Sequence, residues 1–320
     1  MSMLVSACMQ GMIYAPMALG VYIAFGILNT PDLTIDGSLV FGMTVCAYVT
    51  IAGHPVLALF AGMAAGAAAG LVTGLLQTKL KINAILSGIL TMTGLYTINY
   101  MVLGGQSNRY LQSGTTASNT VFKMFSRTVN DIFGENAVGD INLLPLILSA
   151  TVTAAAIAIL AVFFKTRLGL QIRATGDNED MVRSSSINAD FTRILGIMTA
   201  NALVALSGAL LCQQQKYADL NCGMGMLVVG LASVIIGQVL FGKRGITVGL
   251  ISAVAGSLFY RIVLQVAYKI DMPSFTVKLL SAIIVVAALS MPVIKNKVTE
   301  LNGRRARASS GNEGSGGNEQ

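Results

Sequence analysis

The residues best suited to chemistry in this sequence stand in the stretch NTPDLTIDGS, residues 29–38. Asn29, Asp32 and Asp36 lie between two long apolar runs, and Pro31 is a residue that breaks helices. Ionisable side chains at membrane depth are costly, so where they occur they mark a cavity or a pathway for a solute or an ion. A short cytoplasmic loop between two complete spans is the alternative interpretation of this stretch.

A second polar pattern lies further along the chain. Asn83, Ser87 and Thr91 follow one another at intervals of four residues, which places them on one face of a helix. We expect this face to line a translocation pathway together with the polar residues of 29–38. The alternative is that these side chains form hydrogen bonds between packed helices.

The sequence carries no recognisable catalytic pattern. The single histidine, His54, precedes Pro55, and no HExxH, nucleophile-elbow or paired-carboxylate pattern occurs. The segment GQVLFGKR, residues 237–244, matches the start of a phosphate-binding P-loop but ends in Arg244 instead of the Ser or Thr that holds magnesium. We therefore predict no catalytic residue and no cofactor on this chain, which is then not an enzyme.

The four cysteines do not form a metal site by their spacing. Cys8 and Cys46 fall inside apolar runs, and Cys212 and Cys222 show no metal-ligand pattern. We interpret all four as small apolar residues and predict no metal site. The sequence leaves open whether Cys212 and Cys222 pair.

A membrane-embedded bundle of helices must position these residues. Hydrophobic residues make up 54% of the chain and charged residues 11%, and the mean hydropathy is +0.71. Apolar runs of this length would aggregate in a soluble domain, and they do not show the alternation of a membrane β-barrel. We predict an all-α, polytopic membrane helix bundle, with a permease domain at 1–296 and a disordered cytoplasmic tail at 297–320.

Eight spans are predicted, and a ninth apolar run follows at 274–294. The first two are not necessarily independent full spans, because a discontinuous helix near 29–38 would change how they cross the membrane. The predicted bounds are 4–28, 36–53, 55–77, 83–103, 143–164, 193–212, 222–241 and 246–265.

Basic residues between the spans indicate the orientation of the chain. The positive-inside rule makes the basic side cytoplasmic, which places segment 104–142 and the N-terminus outside and the C-terminus inside. These basic flanks also account for the net charge of +7, so no nucleic-acid partner is predicted. The residues that define the cytoplasmic side are Lys79, Lys81, Lys165, Arg167, Arg173, Arg183, Arg193, Lys243, Arg244, Lys295, Lys297, Arg304, Arg305 and Arg307.

Glycine recurs at every fourth position of the third span. One face of this helix therefore has almost no side chains, so the backbone of a neighbouring helix can approach closely. We predict a helix-packing surface, within one subunit, at Gly62, Gly66, Gly70 and Gly74.

The polar segment LQIRATGDNEDMVRSSSIN, residues 170–188, interrupts the apolar chain on the cytoplasmic side. Asp177 or Asn178 is suited to cap a helix whose first turn holds Glu179 and Asp180, because carboxylates are favourable there. A short surface helix is predicted. From the residues alone, it is either a docking element or a solvated loop.

This segment and its surroundings resemble a family of transport proteins. The run LGLQIRATGDNEDMVRSSSINADFTRILGIMTANALVALSGAL resembles the cytoplasmic loop of ABC importer permeases of the branched-chain amino acid, ribose and nucleoside type. GMGMLVVGLASVIIGQVLFGKRGITVGLISAVAGSL and GILNTPDLTIDGSLVFGMTVCAYV resemble further parts of these permeases, so the similarity covers about residues 11 to 292. One departure is Ser186, where the family usually has Gly before Ile187.

The resemblance implies a coupling helix, which contacts the ATP-binding subunit, and a discontinuous helix near 29–38. The coupling residues are expected to be Gly176, Asp177, Asn178, Glu179, Met181, Arg183 and Ile187. It further implies a permease dimer in the bacterial inner membrane, partner subunits that bind ATP and Mg²⁺, and an extracytoplasmic substrate-binding protein. The subgroup that it resembles most is associated with tryptophan or tyrosine.

Two matters stay open at this stage. One is the solute, since sugars and nucleosides are not excluded, and the other is whether the dimer is a homodimer or a heterodimer. The alternative function is a secondary transporter driven by an ion gradient, in which Asp32 and Asp36 bind the coupling ion.

Overall fold

The computed structural model describes residues 2–113, 116–117, 120–133, 143–242 and 245–268, and five further positions, 279, 282, 283, 286 and 290. Residues 1–272 form one compact unit, and 273–320 are a separate unit. The five positions of the second unit are helical. The rest of the predicted ninth apolar run and the predicted tail lie outside the described residues.

The described chain is a bundle of helices with only short strands. The helices are α1 (Ser2–Val21), α2 (Thr34–Ile51), α3 (Pro55–Thr78), α4 (Ala84–Val102), α5 (Val121–Phe133), α6 (Leu143–Phe163), α7 (Arg167–Asp177), α8 (Glu179–Ser184), α9 (Ala189–Gln215), α10 (Met226–Phe241) and α11 (Ile246–Tyr268). The strands are β1 (Asn108–Tyr110), β2 (Gln112–Ser113), β3 (Thr116–Ala117) and β4 (Tyr217–Asp219).

Eight of the described helices are long and apolar enough to cross a membrane, which confirms the predicted spans. The largest differences are at α9 and α10. α9 begins at Ala189, four residues before the predicted start, because Asn188 caps it. α10 begins at Met226 because residues 217–223 form a short strand and a 3₁₀ turn first.

Helix α9 is the centre of the bundle, and α1, α2 and α3 pack around it. Ser38 donates a hydrogen bond to Asn201, Cys46 donates to the carbonyl of Ala209, and the Gln213 amide donates to Thr50. In each case the residue on α9 lies 163 positions after its partner. A constant offset requires that α2 and α9 run side by side in the same direction.

The glycine face of α3 lies against α9. A Cβ atom at position 66 would collide with the Ala205 side chain and the Asn201 carbonyl, and one at position 74 would meet Ile194. Dispersion contacts and backbone approach hold helices together in lipid, where apolar burial offers little drive. The residues of α3 that face α9 are Gly62, Gly66, Gly70 and Gly74.

We expect Gly66→Ala to destabilise the bundle, whereas Gly94→Ala does not. The added methyl group at position 66 forces two packed helices apart, and overpacking of this kind typically costs about 1–3 kcal/mol. At position 94 a Cβ atom finds open space. Thermal melting of the two variants in detergent compares them directly, and equal melting temperatures would contradict the packing role of α3.

The ends of α4 and α9 are joined by a small antiparallel ladder. β1 pairs with β4, so that Arg109 lies opposite Ala218. The Gln213 side chain accepts a hydrogen bond from the Val121 N–H at the start of α5. Among the described residues, this end of the bundle is therefore tied together by hydrogen bonds between segments that are distant in sequence.

Candidate functional site

The chain breaks between α1 and α2, as the predicted discontinuous helix requires. α1 ends in a π-helical turn at Tyr22–Ile27, and Asn29 adopts a left-handed conformation with φ of 53°. π-Helical turns are rare and concentrate at functional sites. α2 begins only at Thr34, so residues 28–33 are irregular.

Asp32 is fully buried in this break. Its carboxylate accepts hydrogen bonds from the Asn201 amide at 2.7 Å and from the Thr34 N–H at 2.9 Å. Asn201 lies twelve residues after Ala189, the first residue of α9, a rise of about 18 Å along the helix. Asp32 therefore ties the residues between α1 and α2 to the interior of α9.

Asp36 caps a helix on another part of the chain. Its two carboxylate oxygens accept hydrogen bonds from the N–H groups of Gly225 at 3.0 Å and Leu227 at 2.7 Å. Gly225, the N-cap residue of α10, has no side chain that could cap the helix. Its φ of 81° is a left-handed conformation that glycine adopts readily. A carboxylate is favourable at this position because the helix N-terminus is positive.

Both carboxylates are thus engaged by donors of the chain itself. Each oxygen of Asp36 has a backbone partner, and both oxygens of Asp32 accept a bond. Among the described residues, no group of three or more His, Cys, Asp or Glu could hold a metal ion. All four cysteines are free, so Cys212 and Cys222 do not pair.

The polar side chains predicted to form a stripe on α4 make their hydrogen bonds to the backbone of α4 itself. Asn83 caps α4 by accepting from the Ile85 N–H, while Ser87 and Thr91 are buried. Their hydroxyl groups donate to the carbonyls of Ala84 and Ser87. The hydroxyl groups of Ser87 and Thr91 therefore bond within α4 and not to a neighbouring helix, so their place in a pathway stays a prediction, whereas Asn29 is exposed.

Thiol labelling separates these interpretations. In a background without the native cysteines, we expect Asn29→Cys to react with a small water-soluble thiol reagent, because residue 29 is exposed at the break. Ser87→Cys is expected to stay unreactive in the resting state, because position 87 is 0% exposed. Labelling at position 87 during turnover would assign the α4 stripe to the pathway.

Three capping residues build the polar segment 166–188. Thr166 caps α7, Asn178 caps α8 by accepting from the Met181 N–H at 3.1 Å, and Asn188 caps α9. Of the two candidate caps for α8, the structure therefore uses Asn178. Asp177 is instead the last residue of α7.

A network of ion pairs holds α8 on the start of α9. Glu179 pairs with Arg183 at 2.8 Å and also with Arg193, and Arg183 pairs with Asp190. The Glu179 and Asp190 carboxylates raise the pKa of the exposed Arg183 guanidinium above its ordinary value. Glu179 and Arg183 can pair because residues four apart meet on one face of a helix. The contacts of Asp190 and Arg193 join α8 to α9 and have no such local pattern.

The two faces of α8 differ sharply. Val182 is buried, while Met181 is 51% exposed. At the end of α7, Gly176 lies so close to the carbonyl of Ile27 and the backbone of Leu28 that a Cβ atom would not fit. The polar segment 166–188 therefore exposes the apolar side chain of Met181 and also touches the break between α1 and α2.

Ser186 takes a left-handed conformation with φ of 60° in the turn after α8, next to Ile187, whose N–H donates to the carbonyl of Val182. We expect Ser186→Gly to stabilise the turn by about 1 kcal/mol, because glycine has no Cβ penalty there. Ser186→Val should have the opposite effect. The melting temperatures of both variants test this, and an unchanged value for the valine variant would contradict it.

A bundle with eight helices long and apolar enough to cross a membrane, among the described residues, defines a polytopic membrane protein. A family described as the permease component of branched-chain amino acid transport systems matches residues 3–289. The chain therefore belongs to this family and is an ABC-type permease.

Relatives of known sequence support this assignment. The chain is 35% identical to the tyrosine transport system permease protein of Clostridioides difficile over 291 residues, which covers 91% of each chain. It is 31% identical to an uncharacterized protein of Rickettsia prowazekii, covering 91% of this chain and 98% of the relative. The autoinducer 2 import system permease protein LsrC of Salmonella paratyphi B is 25% identical and covers 66% of this chain and 55% of its own length. No solved structure matches the chain.

Proposed function

We propose that this permease imports an aromatic amino acid, such as tyrosine or tryptophan, as a homodimer in the bacterial inner membrane. The observation that carries the proposal is its 35% identity, over 91% of both chains, to a protein named as a tyrosine transport system permease. Partner subunits bind ATP and Mg²⁺ and supply the free energy, and an extracytoplasmic binding protein delivers the solute.

The orientation proposed for the chain follows from its charges. Arg173, Arg183 and Arg193 lie in or beside α7 and α8, which makes that end of the bundle basic and cytoplasmic. The N-terminus and segment 104–142 are then outside, where this segment can meet the binding protein. The C-terminus is cytoplasmic.

The coupling helix of the proposed mechanism is α8 with the end of α7. Met181 is its exposed apolar residue, suited to a groove on the ATP-binding subunit, because an unbranched thioether fits irregular surfaces. Gly176 contacts Ile27 and Leu28, so a displacement of the segment is passed directly to the break between α1 and α2. Within the break, Asp32 accepts a hydrogen bond from Asn201 of α9, and Asn201 in turn accepts one from Ser38 of α2. These bonds connect the break to α9.

An ion gradient is the alternative source of energy, and the geometry favours it less. In that mechanism Asp32 and Asp36 bind the coupling ion, yet their oxygens already accept hydrogen bonds from the chain. An ion at Asp36 would have to share oxygens that already accept hydrogen bonds from the backbone donors at the start of α10. The ATP-driven mechanism leaves these bonds intact.

Reconstitution in proteoliposomes tests the proposed function. With the ATP-binding subunits, the binding protein and ATP, we expect uptake of tyrosine or tryptophan, and no uptake of ribose. Thermal-shift screening of the binding protein against amino acids, nucleosides and sugars identifies the solute independently. Uptake that follows an ion gradient without ATP would overturn the proposal.

A further inference from the structure

A cavity of about 610 Å³ lies among the ends of α1, α7, α10 and α11. Gly176 and Ile27, whose close contact joins α7 to the end of α1, also line it. Its walls combine charged, amide and aromatic groups, which is unusual in a chain that is 54% hydrophobic. The lining residues on which the following argument depends are Tyr22, Phe25, Asn29, Arg173, Asp177 and Gln238.

The two charged residues of the cavity do not form an ion pair with each other. Arg173 and Asp177 are four residues apart on α7, so they project from the same side of the helix. Neither of them forms an ion pair or a side-chain hydrogen bond with any residue that the structure describes. In α8, by contrast, Glu179 and Arg183 have the same spacing and form an ion pair, with 2.8 Å between the carboxylate and the guanidinium group.

The remaining walls fit the body of a small amphipathic molecule. Tyr22 and Phe25 come from the π-helical turn of α1, and Asn29 and Gln238 add amide groups that can donate or accept hydrogen bonds. Gly249 of α11 faces the Tyr22 hydroxyl so closely that a Cβ atom there would collide with it. The Tyr22 ring is therefore fixed by packing against Gly249 and does not depend on a ligand.

We propose that this cavity binds the zwitterion of an apolar or aromatic amino acid that enters from the cytoplasm. Arg173 binds the carboxylate, Asp177 binds the ammonium group, and the aromatic wall takes the side chain. A guanidinium group suits a carboxylate because it can donate two parallel hydrogen bonds. The choice of amino acid and the cytoplasmic access both rest on the proposed function.

This site has a consequence for transport. Its walls belong to α7, next to the proposed coupling helix, and to α1, α10 and α11. A bound amino acid ties these elements together, so it slows any cycle in which they separate. The imported solute therefore inhibits its own uptake from the cytoplasmic side.

Calorimetry tests the site by measuring how small molecules bind to the purified permease without its ATP-binding subunits. The probes are tyrosine, tyramine, which lacks the carboxylate, and 3-(4-hydroxyphenyl)propionate, which lacks the ammonium group. We expect each analogue to bind about tenfold more weakly than tyrosine or worse, because each loses a charge-assisted hydrogen bond. Equal binding of all three probes, or no binding of tyrosine, would overturn the proposal.

Single substitutions assign the two charges. Arg173→Gln should abolish the preference for tyrosine over tyramine. Asp177→Asn should abolish the preference for tyrosine over 3-(4-hydroxyphenyl)propionate. Arg167→Gln is the matched control, since residue 167 is an exposed arginine of the same helix and does not line the cavity. If Arg173→Gln and Asp177→Asn bind all probes as the wild type does, the assignment is wrong.

Uptake assays separate this proposal from the proposed function. Tyrosine inside the vesicles, on the side of the ATP-binding subunits, is expected to slow uptake in the wild type but not in Arg173→Gln. Binding of tyrosine without its uptake would support the cavity and contradict the proposed solute. Uptake of tyrosine by a permease that does not bind it in detergent would keep the proposed function and refute the cavity.

Discussion

Met181→Asp is expected to leave the permease inserted and dimeric but unable to retain the ATP-binding subunit or to drive uptake. Met181 is 51% exposed on α8, whereas its neighbour Val182 is buried and holds the helix in place. Burial of an unpaired carboxylate against a partner protein costs several kcal/mol, which corresponds to a loss of about 100-fold or more in affinity. Co-purification from detergent and uptake in proteoliposomes measure the two effects.

Three other substitutions in α8 serve as comparisons for Met181→Asp. Met181→Leu keeps the apolar side chain and should retain the ATP-binding subunit. Asp180→Asn changes an exposed charge of the same helix and should have little effect. Glu179→Gln is expected to be milder than Met181→Asp, because Glu179 pairs with Arg183 and Arg193 within the chain. A Met181→Asp permease that retains stoichiometric ATP-binding subunit and transports normally would refute the coupling helix.

Asp32→Ala is expected to lower the stability of the bundle by about 2–6 kcal/mol, because two donors lose their acceptor at full burial. These donors are the Asn201 amide, at the centre of α9, and the Thr34 N–H, at the start of α2. Without Asp32 the Thr34 N–H loses its link to α9 and, among the described residues, only Ser38 joins the first turns of α2 to Asn201, so uptake should fall together with stability. Thermal melting in detergent and uptake measure the two quantities on the same preparation.

The comparison of Asp32→Asn with Asp32→Ala separates a structural role from ion coupling. Asparagine keeps one acceptor oxygen, so a structural role predicts a melting temperature between those of the wild type and of the alanine variant. A coupling-ion site predicts a different result for Asp32→Asn, namely normal melting with loss of uptake. A double-mutant cycle with Asn201→Ala should give a coupling energy of about 1 kcal/mol or more, since the two residues are in contact. Additive effects would contradict the hydrogen bond.

Some features of this protein could be predicted from the sequence because they depend on neighbouring residues. A membrane span is a property of about 20 consecutive residues, so all eight described spans were predictable from composition. The cap at Asn178 and the pair of Glu179 with Arg183 lie within one helical turn. The break near Pro31 was indicated by a helix-breaking residue beside polar ones.

The partners of the polar residues were decided by the tertiary structure. Periodicity placed Gly66 on a bare face of α3, but it could not show that this face meets Asn201 and Ala205 of α9. The sequence marked Asp36 as a residue of the break, yet its carboxylate caps α10, and its partner Leu227 is 191 positions away. Asp32 and Asn201 are 169 positions apart. A local pattern specifies which face of a helix is polar or small, but the identity of the opposite surface depends on how the helices pack, and neighbouring residues do not encode that.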